Sequence, residues 1–356
     1  MNIYFHIINK EGVIIASNIP EEFTLNRENV IEKIKMESAF NGIQYRHGLF
    51  SNEFGSVYLA TAEKNLTNKI FKRYFDSCFF FLPQLVEKEK EFREKELQNF
   101  RRLKHNLITH NTNILQELEK NFPQKKISKA AKNQIEYIEN IIEKNKKAIA
   151  IATLKILKRA NLMKSEFDVY DMLVSKNKPY LEFDEHNIHK IILQILSPFW
   201  LEFVEKGIQV EINDCHELVR VDYRSISVAF THLFENAVKY TAPNTGLKIG
   251  FESEKDKISI CFEMTSLKIT QNDLDKIYDE AYSGEHAEKW NKHGSGLGMN
   301  IVKELLTYNN GEISIQINVN PSENLNILNS IPFERNRFYV KLPKKGCTSI
   351  PKNLTN

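Results

Sequence analysis

One run of nine residues constrains this chain more than any other: Lys292-His293-Gly294-Ser295-Gly296-Leu297-Gly298-Met299-Asn300. An amphipathic stretch, residues 301–308, follows directly. Glycine has no Cβ, so a backbone rich in it can pass close to a ligand and take positive φ. Where such a turn opens into a helix, exposed N–H groups and the positive end of the helix dipole can face phosphates. The spacing fits neither the dinucleotide-binding fingerprint nor the lysine-bearing P-loop.

Bulk properties narrow the class. A chain of 356 residues is long enough for two or three domains. Its net charge of +3 is too small to argue for nucleic acid or an anionic membrane as the main partner. The four cysteines are scattered without CxxC spacing, so they read as reduced thiols and not as a zinc site. Met1-Asn2-Ile3-Tyr4-Phe5-His6 lacks the basic-then-apolar layout of a signal peptide. The greasiest run, residues 78–86, contains Pro83 and falls short of the ~20 residues a span needs. The expectation is no membrane span and a cytoplasmic location.

The fold class expected is α+β, in three parts. Residues 1–65 read as a small α/β sensor or docking module, with strands at 3–8 and 13–16 and a second hairpin over 42–62. Between the hairpins, residues 27–40 have a helical look. Residues 66–163 read as a long charged helix and a helical hairpin. Phe100, Leu103, Leu107, Ile114 and Leu118 recur at near-helical steps, and Asn121-Phe122-Pro123 ends the helix. A second helix carries Ile135, Ile138, Ile142, Ile149, Ala152, Ile156 and Met163 at heptad positions. One antiparallel hairpin leaves its stripe half covered, so pairing of two copies into a four-helix bundle, a homodimer, is expected. Residues 164–181 read as an irregular linker, 182–343 as an α/β sandwich, and 344–356 as a tail. Within the sandwich, the Asn-rich segment 320–336 reads as a long hairpin loop.

Two segments outside the glycine run carry chemistry. In Lys104-His105-Asn106-Leu107-Ile108-Thr109-His110, His105 is rotated by about 200° from Leu103 and Leu107, at roughly 100° per residue, and so points away from the apolar stripe. A neutral imidazole there has a lone pair for nucleophilic attack; alone, the segment reads instead as a surface histidine on a charged helix. Thr109 shares its face, whereas His110 falls on the stripe as a packed histidine. In residues 232–241, His232, Asn236 and Lys239 lie on one helical face. Asn236 offers a neutral oxygen to a magnesium ion that keeps most of its waters, and Lys239 a point charge for phosphate. Tyr240 offers an aromatic surface to a base, and Glu235 either polarises water or is simply exposed.

His105 on a dimerising hairpin, then His232-x-x-x-Asn236-Ala237-x-Lys239-Tyr240-Thr241, then Gly294-x-Gly296-Leu297-Gly298, resembles the sensor histidine kinases. The resemblance covers roughly residues 87–343. It implies ATP and Mg2+ as cofactors, with the metal on Asn236 and phosphate on Lys239. Gly294, Gly296, Leu297 and Gly298 would shape a lid over the nucleotide, and His105 would take the γ-phosphoryl group and pass it to an aspartate of a response regulator. Thr109 matches the position that orients water for dephosphorylating that regulator. Two positions depart from the pattern. Met264 stands where the family's aspartate accepts the adenine amine, within Glu263-Met264-Thr265-Ser266-Leu267-Lys268, and both following glycines are missing. An adenine amine left unpaired costs ~1–3 kcal/mol, roughly tenfold to a hundredfold in affinity. Asn106 is neutral where an acid usually follows the histidine. The alternative is therefore a pseudokinase or phosphatase-biased scaffold; a conformational ATPase of the chaperone or mismatch-repair kind needs no upstream hairpin.

Overall fold

The computed structural model describes residues 3–20, 23, 27, 30–39, 42–130, 132–173, 181–290, 296–320, 325–327 and 331–345. The chain forms two units, Met1–Asn99 and Phe100–Asn356.

The first unit is an antiparallel sheet of five strands: β1 (Ile3–Asn9), β2 (Ile14–Ser17), β3 (Ile34–Ser38), β4 (Gln44–Ser51) and β5 (Gly55–Thr61), in the order β2-β1-β5-β4-β3. Strand alternation sends Val57 and Leu59 to one face and Tyr58 and Ala60 to the other. The first face packs on Phe71, Phe75 and Leu82 of α1 (Asn68–Asn121), a helix that continues into the second unit. The second face closes over Val30, Ala39 and Tyr45. Both expected hairpins are present. The helix expected over 27–40 is not: Ile34–Ser38 is a strand paired with β4 from Ile34↔Gly48 to Ser38↔Gln44. Ladder pairing outweighs a weak local helical preference there.

In the second unit α1 ends at Asn121 and is followed by α2 (Gln124–Lys129), α3 (Gln134–Lys144) and α4 (Lys146–Leu173). The second heptad helix is thus broken at Asn145, whose side chain donates to its own helix at Ile141 O, 3.3 Å away. Helix α4 also runs through most of the stretch read as a linker. Leu162, Val169 and Met172 join the sandwich core, and Arg224 bridges Asp168 (2.5 Å) and Asp171 (2.8 Å). Tertiary packing, not local propensity, keeps those turns helical.

The remainder is a sandwich: β6 (Phe183–Asn187), α5 (Ile188–Leu196), a 3-10 turn, α6 (Trp200–Glu205), β7 (Gln209–Ile212), β8 (Leu218–Asp222), α7 (Tyr223–Tyr240), β9 (Gly246–Ser253), β10 (Lys257–Leu267), α8 (Gln271–Lys276), α9 (Glu285–Lys289), α10 (Gly298–Tyr308), β11 (Glu312–Gln316), β12 (Leu325–Ile327) and β13 (Ile331–Pro343). The main sheet runs β11-β13-β10-β9-β7, with β12 beside β13; β6 and β8 pair apart from it. Ile192, Ile226, Phe230, Phe234, Val302 and Leu305 bury against Ile249, Ile260, Phe262 and Val340. Asn309, fully buried, accepts from Asp222 N (2.7 Å) and donates to Ser225 Oγ (2.7 Å), tying α10 to the start of α7. Both helices that carry the nucleotide-type motifs are therefore fixed on one core.

The polar stretch before residue 336 is not the expected loop throughout. β13 already begins at Ile331, where Phe333 is buried and Glu334 accepts from Ile269 N at 2.9 Å. On the hairpin helices, Ile108, Leu115, Leu154 and Leu157 stay exposed in the single chain.

Candidate functional site

A cavity of about 780 Å³ opens in the second unit between α7, β10, the start of α10 and the facing sides of α1 and α4. Asn236, Lys239 and Tyr240 line it from α7, as do Met264 and Ser266 from β10 and Gly296, Leu297 and Gly298 from the α10 turn. Gly294 lies outside the described residues.

The α10 turn sits close to Asn236. A Cβ on Gly298 would be 3.7 Å from Asn236 Nδ2 and 3.9 Å from His232 Nδ1. The dipole-positive end of α10 therefore faces the amide that sequence reasoning assigned to a metal. Gly296 has φ +69° and lies against the backbone of Ala281 and Tyr282. Asp273 fixes this approach from below, accepting from Tyr282 OH (2.6 Å) and Glu285 N (3.0 Å). Burial pushes the Asp273 carboxyl up, but Tyr282, Thr270 and Glu285 outweigh it and leave the net pKa below the ordinary value. The same bond pushes the Tyr282 phenol up to about 12.

Along α7, burial lowers the Lys239 pKa against an opposing pull from Glu235, and its Nζ lies 5.0 Å above the Tyr240 ring. Glu235 faces His232 Nδ1 at 3.5 Å. Burial raises the Glu235 pKa, but His232, Lys158 and His110 bring it below the ordinary carboxylate value. Lys206 Nζ donates to the Val238 and Lys239 carbonyls at the C-terminal turn of α7.

Strand β10 runs unbroken through Leu267, as expected of a segment that lacks the family's glycines. Met264 lines the cavity, buried, with Thr241 Oγ1 donating to its sulfur at 3.3 Å. Glu263, one residue earlier, pairs with Arg335 (3.1 Å) and Arg337. It is committed to those arginines and does not replace the missing carboxylate.

The hairpin residues divide. Asn106 lines the cavity and donates to Glu166 of α4 at 2.9 Å. His105 and Thr109 are exposed and do not line it. His105 Nδ1 stands 3.5 Å from Asn106 Oδ1, and Thr109 Oγ1 donates to His105 O at 2.9 Å. His110 departs from expectation. It is no packed stripe histidine: with Arg102 and Asn106, two turns and one turn before it, it faces the cavity, and its Nδ1 is buried with no partner. The helical wheel places His110 beside Leu107; it does not reveal that α4 and the sandwich approach this side of α1.

Residues 221–346 match the family described as histidine kinase-, DNA gyrase B- and HSP90-like ATPases. Histidine protein kinase SaeS of Staphylococcus aureus (strain bovine RF122 / ET3-1) is 25% identical over 170 residues, 46% of this chain and 48% of that protein. The SaeS of strain USA300 is 24% identical over the same shares. The chain thus spans about half the length of the curated relatives it matches. Among solved structures, the catalytic domain of histidine kinase ThkA is 20% identical, with a TM-score of 0.38, over 46% of this chain and 99% of that one. Acinetobacter baumannii histidine kinase AdeS is 15% identical, with a TM-score of 0.38, over 64% of this chain and 98% of that one. Over the matched region the chain is similar to the histidine kinases.

Proposed function

We propose that the chain is a dimeric, cytoplasmic histidine kinase that binds ATP in this cavity, is phosphorylated on His105 and passes the phosphoryl group to an aspartate of a response regulator. One observation carries the reading: Asn236, Lys239 and the Gly296–Gly298 turn line the same cavity as Asn106, the neighbour of His105. The donor set suits Mg2+ that keeps most of its waters, because Asn236 supplies one neutral oxygen to the cavity. When bound, the metal would neutralise charge on the phosphates.

In the transfer, an imidazole nitrogen of His105 bonds to the γ-phosphorus as the bond to the leaving ADP oxygen breaks. Lys239 and the α10 N–H groups would hold phosphate charge. Asn106 cannot take the imidazole proton as a carboxylate would, so that proton passes to solvent. His105 is exposed outside the cavity wall, so the acceptor would be presented by a second copy or by a shift of the hairpin. The exposed Ile108, Leu115, Leu154 and Leu157 support pairing of two hairpins. No helix among the described residues is long and apolar enough to cross a membrane.

Incubation with labelled ATP and magnesium is expected to give acid-labile phosphate that His105→Ala abolishes. Label that survives the substitution overturns the assignment. Met264 favours a second reading, a phosphatase-biased or scaffold protein with weak ATP use, because a thioether that takes the Thr241 hydroxyl, and not a carboxylate, lines the cavity at that position.

A further inference from the structure

The cavity extends well beyond the residues the kinase reading uses, to a wall formed by α1 and α4 that carries Arg102, His110, Lys158 and Arg159. The carboxylates in this part of the cavity are already engaged. Glu202 holds Lys158 at 2.6 Å, Glu166 accepts from Asn106 at 2.9 Å, and Glu235 faces His232 at 3.5 Å. Arg159 is half-buried and has no hydrogen bond or ion pair among the described residues. Arg102 Nε, His110 Nδ1 and His232 Nε2 are each buried without a partner. Buried polar nitrogens are rarely left unmade in a folded protein, and an unpaired guanidinium is costlier still. Together with Arg159 they give this wall donors that a bound acceptor could meet.

We propose that Arg159 of α4, aided by His110 of α1, is a binding site for the terminal phosphate of a nucleoside triphosphate whose inner phosphates lie against α7 and α10. This rests on the cavity being the nucleotide site. The guanidinium presents paired N–H donors that match two phosphate oxygens, which a lone ammonium cannot do. His110 lies close enough to Arg159 for the two to interact electrically, and burial first, then Arg159, pushes its pKa below the ordinary imidazole value. A neutral His110 adds no positive charge to this wall and can still donate one hydrogen bond. The consequence is that a triphosphate, but not a diphosphate, joins the sandwich to the hairpin that carries His105. The γ-phosphate would thus fix the domain against the helix on which transfer takes place.

Calorimetric titration of the full chain with Mg-ATP and with Mg-ADP separates the possibilities. Arg159→Gln is expected to weaken ATP binding by about tenfold or more while leaving ADP binding unchanged. His110→Gln is expected to act in the same direction and less strongly, and Arg159→Lys to restore part of the loss. Asn236→Ala should weaken both nucleotides. If Arg159→Gln binds both ligands as the wild type does, or loses both equally, the inference fails and the nucleotide site stands. If the wild type binds neither nucleotide, both readings fail together.

Discussion

Gly296→Ala is expected to cut the affinity for Mg-ATP by about a hundredfold or more while the fold survives. The backbone there has φ +69°. An L side chain in that region costs ~1–2 kcal/mol. A Cβ would also fall 2.4 Å from Ala281 C and 2.6 Å from both Tyr282 N and Tyr282 O, closer than any real contact. Those neighbours are backbone, and Asp273 anchors them through Tyr282 and Glu285. Overpacking of this kind costs a further ~1–3 kcal/mol. The strain is relieved by moving the 296–298 turn, which carries the first N–H groups of α10 away from Asn236. Ile301, Val302, Leu305 and Leu306 hold the rest of α10 in the core, so the melting temperature should change by only a few degrees. Calorimetry and a thermal melt on the same sample check both parts. Near-wild-type affinity would show that the turn does not shape the nucleotide site.

Met264→Asp is expected to act in the opposite direction and raise adenine-nucleotide affinity by roughly tenfold to a hundredfold, since pairing a buried adenine amine is worth ~1–3 kcal/mol. The position is already built for it. Met264 sits in register between Leu247 of β9 and Asn336 of β13, lines the cavity, and takes the Thr241 hydroxyl on its sulfur. A carboxylate there would accept that hydroxyl and the adenine amine together. Guanine nucleotides, which present a carbonyl at the corresponding edge, should gain nothing. Unchanged ATP affinity in the variant would place the base elsewhere.

How legible these features were depends on whether their cause is local. Helix α7 and its one-sided display of Asn236 and Lys239 follow from 3.6-residue spacing, and the α10 turn follows from glycine's freedom. Met264 could be placed because strand register is a count of residues. The features that escaped depend on distant partners. Residues 164–173 have no local reason to be helical until Val169 and Met172 meet the sandwich core. Residues 34–38 pair into a strand only because β4 is there to receive them. The β8 strand does carry a local signal, an alternation with Val219 and Val221 buried and Arg220 exposed. His110, Arg159 and Asp273 gain their significance from the elements that surround them, which no single-helix projection contains.

The measurement that bears most directly on the central claim is titration of the full chain with Mg-ATP beside its Asn236→Ala variant. The account predicts saturable binding to one site per chain, competed by ADP, and a loss of about tenfold or more when the amide that faces the α10 turn is removed. Absence of binding in the wild type at millimolar ATP, or equal binding by both proteins, would contradict it.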